Sequence, residues 1–495
     1  MANKKSAIVI GSGVAGLSAA SYLAKDGYKV TILEKNSSVG GRARQFKEAG
    51  FTFDMGPSWY WMPDVFERFY ADFGHKASDF YQLIRLSPSY RIIDKKGEAV
   101  DIPANMQDLE ALFNKLEPGS ALKLRAFLKE AAYKYEVGIN DLVYKPSLSI
   151  LEFADLRLLR GLLKMDVLGN MHKHIYGVVK HPFLRELLEF PVLFLGALPQ
   201  NTPALYSLMN YADLQLGTWY PQGGMFNIIE AFSKIAVEQG VEVLLNQEVL
   251  SMETKAGLVK RVLTKTGSFE ADVVIGAGDY HHLDQVVLAE PNRSYTSEYW
   301  DKRKLAPSCL LYYVGLNKKL KGFLHHNLFF DTDFELHSKE IYTTPKWPNN
   351  PLFYASVPSK TDNTVAPEGM ENLFLLIPIA PGLKGDTEEI RDKYFNMIVS
   401  RMEKQSGESI LPHVIYKKSY SVKDFKQDYH AFKGNAYGLA NTLDQTAILK
   451  PSLKSKKLKN LFYAGQLTVP GPGVPPSIIS GKVAAKQVVK EFGQG

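Results

Sequence analysis

The chain has 495 residues, 45% of them hydrophobic, and a net charge of +7. This length is ample for two or three domains with large cores, and the single cysteine, Cys309, excludes a disulfide framework and a cysteine-cluster metal site. Basic residues are spread along the chain without a nucleic-acid-binding motif, so we expect no nucleic-acid partner. The eleven scattered histidines likewise predict no metal site.

The N-terminal segment predicts a βα unit that binds a dinucleotide. A short apolar strand leads into the pattern Gly11, Gly13 and Gly16, an alanine-rich helix follows, and Glu34 closes the next apolar run. These glycines allow a tight turn, close approach of a pyrophosphate and tight packing of helix on strand. A carboxylate at Glu34 indicates a free ribose 2′-hydroxyl, and thus NAD or FAD rather than NADP.

Two further segments favour FAD. Gly40, Gly41 and Arg42 follow shortly after the first unit and offer close backbone approach and guanidinium donors for phosphates. Near the C-terminus a buried strand ends at Gly465, a Gly/Pro-rich loop follows over residues 466–477, and a helix is predicted over 478–489. A fresh helix N-terminus favours negative charge on a bound group.

A middle segment fits the same scheme. Residues 219–225 contain the run Pro-Gln-Gly-Gly-Met, and an amphipathic helix follows. Short strands come next, and Val249 lies on one of them. The apolar run at 272–278, which ends in Gly-Ala-Gly, follows them.

These four segments, in this order, resemble those of bacterial carotenoid desaturases of the phytoene desaturase type, within the flavin amine oxidase superfamily. The resemblance covers nearly the whole chain, and residues 54–66 are its most family-like run. It implies an α/β fold: a discontinuous Rossmann-like FAD-binding domain with an inserted α+β substrate-binding domain. FAD is expected to be non-covalent, because Cys309 lies far in sequence from the C-terminal flavin segment. The residues expected to bind FAD are Gly11, Ser12, Gly13, Val14, Ala15, Gly16, Glu34, Lys35, Gly40, Gly41, Arg42, Gly56, Pro57, Ser58, Val249, Gly465, Gln466, Gly473, Val474 and Pro475.

The expected domains alternate along the chain. Residues 1–105, 218–290 and 431–495 are predicted to form the FAD-binding domain. Residues 106–217, mostly helical, and residues 291–430, with strand-like runs, are predicted to form the substrate-binding part.

The resemblance implies an FAD-dependent enzyme that dehydrogenates an acyclic C40 carotenoid, with phytoene towards lycopene as the first expectation. A later-step carotene desaturase, a carotene isomerase, a flavin amine oxidase and a non-enzymatic prenyl-protein chaperone of related fold stay open as alternatives. The electron acceptor is expected to be a quinone or oxygen, and no catalytic acid or base is assigned. Trp59 and Trp61 are expected to floor the substrate tunnel, and Trp219 and Tyr220 are expected to roof it.

Residues 149–185 combine leucines with a basic rim that includes Arg157, Arg160 and Lys164. This composition favours docking on an anionic membrane surface, although a helix that covers the core with a solvated basic face explains it equally well. The apolar N-terminal stretch belongs to the dinucleotide pattern and not to a secretion signal. We therefore expect a cytoplasmic protein that associates peripherally with membranes.

Overall fold

The computed structural model describes residues 4–153, 169–193, 196 and 198–495. Its strands are β1 Ser6–Ile10, β2 Lys29–Leu33, β3 Gln45–Glu48, β4 Phe51–Asp54, β5 Leu83–Arg85, β6 Tyr90–Ile93, β7 Ala99–Ile102, β8 Trp219–Pro221, β9 Glu242–Leu244, β10 Val249–Lys255, β11 Leu258–Thr264, β12 Ser268–Glu270, β13 Val273–Gly276, β14 Ser308–Leu316, β15 His326–Phe329, β16 Phe353–Ser356, β17 Glu371–Ile379, β18 Val414–Tyr420 and β19 Leu461–Tyr463.

The α-helices of five or more residues within the described ranges are α1 Val14–Lys25, α2 Pro63–Asp72, α3 Met106–Leu116, α4 Ser120–Val137, α5 Met171–Val178, α6 Pro182–Leu193, α7 Leu208–Leu214, α8 Phe226–Glu238, α9 Ser297–Asp301, α10 Phe334–Tyr342, α11 Glu388–Ser406, α12 Val422–Tyr429 and α13 Val474–Phe492.

A five-stranded parallel sheet forms the first layer, in the order β19-β13-β1-β2-β9. Its central strands β1 and β13 are almost wholly buried, as expected for a parallel sheet covered on both faces. Helices α1 and α13 pack against each other very closely at Gly481. A Cβ added there would lie only 2.4 Å from the Ala15 carbonyl oxygen, which shows how near the two helices are. The first and last segments of the chain thus meet in one α/β domain.

A seven-stranded mixed sheet forms a second layer, in the order β18-β14-β17-β16-β15-β6-β7. Its pairs are antiparallel except β15 with β6, which are parallel. Strand β14 is buried along its whole length, so this sheet is covered on both faces there. Smaller antiparallel sheets pair β10-β11-β12, β3-β4 and β5-β8.

The α/β class with a second α+β part is therefore confirmed, and helices α3 to α7 occupy the segment expected to be mostly helical. Strands β6 and β7, from the first expected FAD-binding segment, lie in the seven-stranded sheet. The domain boundaries themselves stay predictions.

Within the described ranges, no helix combines the length and the apolar character needed to cross a bilayer. Arg157, Arg160 and Lys164 of the predicted membrane-docking segment lie outside the described residues.

Candidate functional site

One large cavity lies where the parallel sheet faces the seven-stranded sheet. The residues that follow four parallel strands line it: Gly11 after β1, Glu34 after β2, Ala277 after β13 and Gly465 after β19. The carboxyl ends of parallel strands are where open α/β sheets bind their ligands. Eighteen of the predicted FAD-binding residues line the cavity, and only Ser12 and Gly16 of that set do not.

Three glycines shape the phosphate-binding end as the sequence predicts. A Cβ added at Gly13 would meet no described heavy atom within 4 Å, because this position faces the open cavity. At Gly16 the same atom would lie 2.0 Å from the Gly11 carbonyl oxygen, so only glycine lets α1 start this close to β1. Gly13 therefore gives a ligand access to the backbone, and Gly16 maintains the turn that presents it.

Glu34 is buried at the end of β2 and is fixed by three hydrogen bonds. Its Oε2 accepts from the Ser12 backbone N–H at 2.8 Å and from Ser12 Oγ at 2.6 Å, and its Oε1 accepts from the Asn36 N–H at 2.8 Å. Ser12 thus sits behind the cavity wall and orients the carboxylate. Glu34 itself lines the cavity and is placed to accept from ribose hydroxyls.

Arg42 supplies positive charge to the same end of the cavity. Its Nη2 lies 3.3 Å from the Asn435 carbonyl oxygen, and its guanidinium lies 5.0 Å from the centre of the Tyr429 ring. Burial lowers the pKa of Arg42, and the Asp279 carboxylate opposes that shift. The buried Nε of Arg42 finds no partner in the described part of the chain, as expected for a donor meant for a bound group such as a phosphate.

The C-terminal loop delivers a helix N-terminus into the cavity. Gly473, Val474 and Pro475 all line it, and no side chain caps the start of α13. Pro475 lacks an N–H that would need a partner in the first turn. The positive end of the α13 dipole is thus open to a ligand. This end suits the side of a flavin where negative charge gathers on reduction.

The far end of the cavity is apolar and aromatic. Trp59 and Trp61 line it, with ring centroids 5.2 Å apart, and both pack against Phe190. The seven-stranded sheet and α10 supply further residues of this end, among them Cys309, Leu311, Leu328, Tyr354, Phe374, Leu376, Pro378, His337, Ser338, Ile341 and Tyr342. Such a surface binds a long hydrocarbon through buried apolar contact area and does not require hydrogen bonds from it.

Trp219 and Tyr220, the expected roof of the tunnel, do not line this cavity. The Trp219 N–H donates to the Tyr60 carbonyl at 3.2 Å, so the backbone adjoins the expected floor while the side chain lies elsewhere. Strand β8 pairs with β5, and the Tyr220 hydroxyl donates to Asp362 Oδ2 at 3.2 Å. The structure thus places both side chains outside the cavity, because adjacency along the backbone does not decide side-chain direction, and their role in substrate binding stays a prediction.

A buried hydrogen-bonded network supports Trp61 from behind. Its Nε1 donates to Thr218 Oγ1 at 2.9 Å, and Thr218 Oγ1 lies 3.4 Å from Asp213 Oδ1. The hydroxyl of Tyr90, which also packs on Trp59, donates to Asp213 Oδ2 at 2.6 Å. Burial raises the pKa of Asp213 to about 7, so the orientation of the tryptophans rests on a carboxyl group that is costly to ionise.

Several polar residues of the cofactor end were not predicted from the sequence. Asp279, which follows the Gly-Ala-Gly end of β13, accepts from the Phe432 and His282 N–H groups, and burial raises its pKa to about 6. Its place directly after that strand was a usable signal. Tyr429 and His430 line the cavity from the C-terminal end of α12, where no motif marks them.

Cys309 also lines the cavity, although it is far from the flavin loop in sequence. Distance along the chain is therefore no argument against a covalent link. Burial raises the pKa of its thiol to about 12, which keeps the sulfur protonated and a poor nucleophile. Non-covalent binding of FAD stays a prediction.

Comparison with known proteins agrees with this site. The sequence model of the flavin-containing amine oxidoreductase family matches residues 14–489. A carotenoid 3,4-desaturase of Haloarcula japonica is 38% identical over 487 residues, which is 98% of each chain. A ζ-carotene-forming phytoene desaturase of Myxococcus xanthus is 28% identical, over 97% of this chain and 93% of the other.

The fold has a solved counterpart in an oxidoreductase of Methanosarcina mazei. It matches with a TM-score of 0.64 at 16% identity, over 97% of this chain and all of the other. The chain thus belongs to the flavin-containing amine oxidoreductases, and within them to the carotenoid desaturases. It is an FAD-dependent oxidoreductase that acts on carbon–carbon bonds.

Proposed function

We propose that this protein desaturates an acyclic C40 carotenoid, with the conversion of phytoene towards lycopene as its reaction. The observation that carries the proposal is the continuity of the cavity, which joins the FAD-binding strand ends to a wall of tryptophan, phenylalanine, leucine and isoleucine side chains. A long hydrocarbon can lie along that wall with its reacting carbons next to the cofactor end. Bound FAD supplies the two-electron oxidant that the reaction needs.

The residues of this chain have positioning and shielding roles. Trp59 and Trp61 offer flat apolar surfaces that hold an extended chain in one orientation, and orientation alone contributes greatly to rate. Burial at the apolar end excludes water from a reaction that passes through a cationic carbon. Neutral side chains dominate there, since burial lowers the pKa of His337 to about 4.

A later desaturation step is the second candidate. The 38% identity to a carotenoid 3,4-desaturase favours it, against 28% to a phytoene desaturase. Anaerobic incubation of the FAD-loaded enzyme with phytoene, ζ-carotene or lycopene separates the two candidates, with a quinone as electron acceptor. Conversion of phytoene to more conjugated products supports the first proposal, whereas turnover of lycopene but not phytoene supports the second. Turnover of a polar amine without any carotenoid product would overturn both.

The electron acceptor is proposed to be a quinone or oxygen. Reoxidation of substrate-reduced flavin, followed in a stopped-flow instrument with each acceptor in turn, decides between them. A rate that matches turnover identifies the acceptor used.

We also propose peripheral association with a membrane, which would give access to a water-insoluble substrate. Leu148, Ile150 and Leu151 support this, because their side chains are exposed directly before the basic segment. Liposome flotation of the wild type and of the triple variant Arg157→Glu, Arg160→Glu and Lys164→Glu tests it. Undiminished flotation of the variant at low salt, with FAD content unchanged, would exclude this segment as the docking surface.

A further inference from the structure

Two buried side chains, Tyr354 and His326, form a pair behind the cavity wall where its apolar end meets the cofactor end, because Tyr354 also interacts with Ser58, one of the residues expected to bind FAD. Tyr354 lies on β16 and lines the cavity, and its hydroxyl is 2.6 Å from Nδ1 of His326 on β15. His326 is fully buried and stacks on Trp59, with ring centroids 4.1 Å apart and an interplanar angle of 11°. The three side chains thus form a continuous contact from the cavity wall into the core.

Burial fixes the protonation state of this pair. It raises the pKa of Tyr354 and lowers the pKa of His326 well below its usual value, so the phenol keeps its proton and the imidazole is neutral. In the neutral tautomer whose proton lies on Nε2, Nδ1 accepts the hydrogen bond from the phenol. That Nε2 has no hydrogen-bond partner among the residues that the structure describes. The lone pair of His326 is therefore reached from the cavity through the Tyr354 hydroxyl.

On the basis of the proposed function, we propose that Tyr354 and His326 together accept the proton that the carotenoid loses on desaturation. One carbon loses hydrogen with its electron pair, which FAD takes up, and the carbon becomes an allylic cation. The C–H bond of the neighbouring carbon then breaks, and its electron pair becomes the new C=C bond. The proton goes to the Tyr354 oxygen as the phenol proton moves to Nδ1 of His326.

The weak basicity of a buried histidine is sufficient for this step. A C–H bond next to a cationic carbon is a strong acid, so the acceptor needs position more than base strength. The imidazolium that forms faces the Trp59 ring, and an indole face at this distance stabilises a cation. After the product leaves, the proton returns to solvent through the Tyr354 hydroxyl and resets the pair.

Other titratable groups of the cavity suit the step less well. Both nitrogens of His337 are engaged with backbone: Nε2 donates to the Pro378 carbonyl at 2.9 Å, and Nδ1 accepts from the Leu352 N–H at 3.1 Å. Glu34 is held by hydrogen bonds at the end of β2, where it is placed to accept from ribose hydroxyls and not to reach the substrate. Tyr437 interacts with the thiol of Cys309. Burial raises the pKa of that thiol, so the sulfur stays protonated and does not act as a base.

The test compares Tyr354→Phe with Tyr312→Phe in the FAD-loaded enzyme. Tyr312 is a matched control, because its buried hydroxyl lies in the same sheet, donates to the Arg391 carbonyl oxygen and is not part of the cavity lining. The substrate carries deuterium at the carbon that loses the proton. We expect Tyr354→Phe to slow turnover about 100-fold or more and to raise the isotope effect at that carbon. Tyr312→Phe should keep the wild-type rate and isotope effect, and the flavin spectrum should be unchanged in both.

His326→Gln is the second variant, because glutamine accepts a hydrogen bond but not a proton. It should show the same slow turnover and the same raised isotope effect. Wild-type rate and isotope effect in Tyr354→Phe would overturn the proposal. If the wild type converts no carotenoid at all, the proposed function fails instead.

Nitrogen-15 NMR of histidine-labelled protein gives a readout that needs neither substrate nor variant. The proposal requires a neutral His326 with the proton on Nε2 and a strongly hydrogen-bonded Nδ1. A signal that shows the proton on Nδ1 would overturn the proposal, since Tyr354 could then not donate to that atom.

Discussion

The two ends of the cavity are built in different ways. At the cofactor end, strand ends and tight turns present backbone atoms, and the side chains come from compact runs such as residues 11–16 and 40–42. At the apolar end, single side chains converge from β14, β15, β16 and β17 of the seven-stranded sheet and from α10. The cofactor end thus depends on the local geometry of short segments, whereas the apolar end is assembled from residues far apart in the chain.

Charge follows the same division. The cofactor end contains Arg42, Glu34 and Asp279, each with a named partner. At the apolar end burial keeps His326 and His337 neutral, since it lowers the pKa of both imidazoles. One end thus suits phosphates and hydroxyls, and the other suits a hydrocarbon.

Gly13→Ala should have the largest effect on the cofactor end. The added methyl points into open space, so the protein should fold, but it would occupy the approach of the pyrophosphate. We expect the Kd for FAD to rise by more than about tenfold, or about 1.4 kcal/mol, in titrations of the apoprotein. Gly177→Ala, where an added Cβ also meets no described heavy atom within 4 Å, is the control. Equal FAD affinity in both variants would contradict this reading of Gly13.

Glu34→Ala should have an effect of similar size on the same end. It removes an acceptor of three hydrogen bonds and strands the buried Ser12 N–H. The loss of charge-assisted bonds is about 1.5–3 kcal/mol, which should appear as weaker FAD retention in equilibrium dialysis. Release of the flavin on acid precipitation of the wild type should accompany this; flavin that stays with the protein would show a covalent link.

These contrasts explain what the sequence could predict. The first βα unit and the C-terminal loop follow from short patterns whose physics is local, so residues such as Gly13 and Pro475 were predicted to lie at the cofactor and do line the cavity. The Trp59–His326 stack and the role of Cys309 in the lining depend on pairing between distant strands, which no local pattern encodes. The Tyr220 side chain lies outside the cavity for the same reason, since the pairing of β8 with β5 determines its direction.

Trp61→Ala should alter the apolar end and leave the cofactor end intact. The substitution enlarges the cavity beside Trp59 and Phe190 and removes the donor to Thr218. We expect a changed number or position of new double bonds, measured by product analysis in a phytoene-producing host, with normal FAD content. An unchanged product series would show that Trp61 does not set the depth of the site.

Asp213→Asn should change how stability depends on pH. The carboxyl has a pKa of about 7 in the folded protein and about 4 when unfolded. The folded state therefore binds the proton more tightly, and this group's contribution to stability is lost as pH rises from about 4 to 7. The asparagine does not ionise, so the variant keeps its stability over this pH range. The Tm of the variant minus the Tm of the wild type, measured by thermal unfolding, should therefore increase as pH rises. A constant Tm difference would show that Asp213 ionises normally.

Tyr220→Phe should have the smallest effect, and it is the sharpest test of the division between the two ends. It removes one buried hydrogen bond, to Asp362, from a residue that adjoins the tunnel floor in backbone but does not line the cavity. We expect a loss of about 1 kcal/mol in the free energy of unfolding, measured by denaturant titration, with wild-type FAD affinity and an unchanged product series. A product change as large as that of Trp61→Ala would mean that the substrate reaches β8, and the apolar end would then extend beyond the walls that the structure gives it.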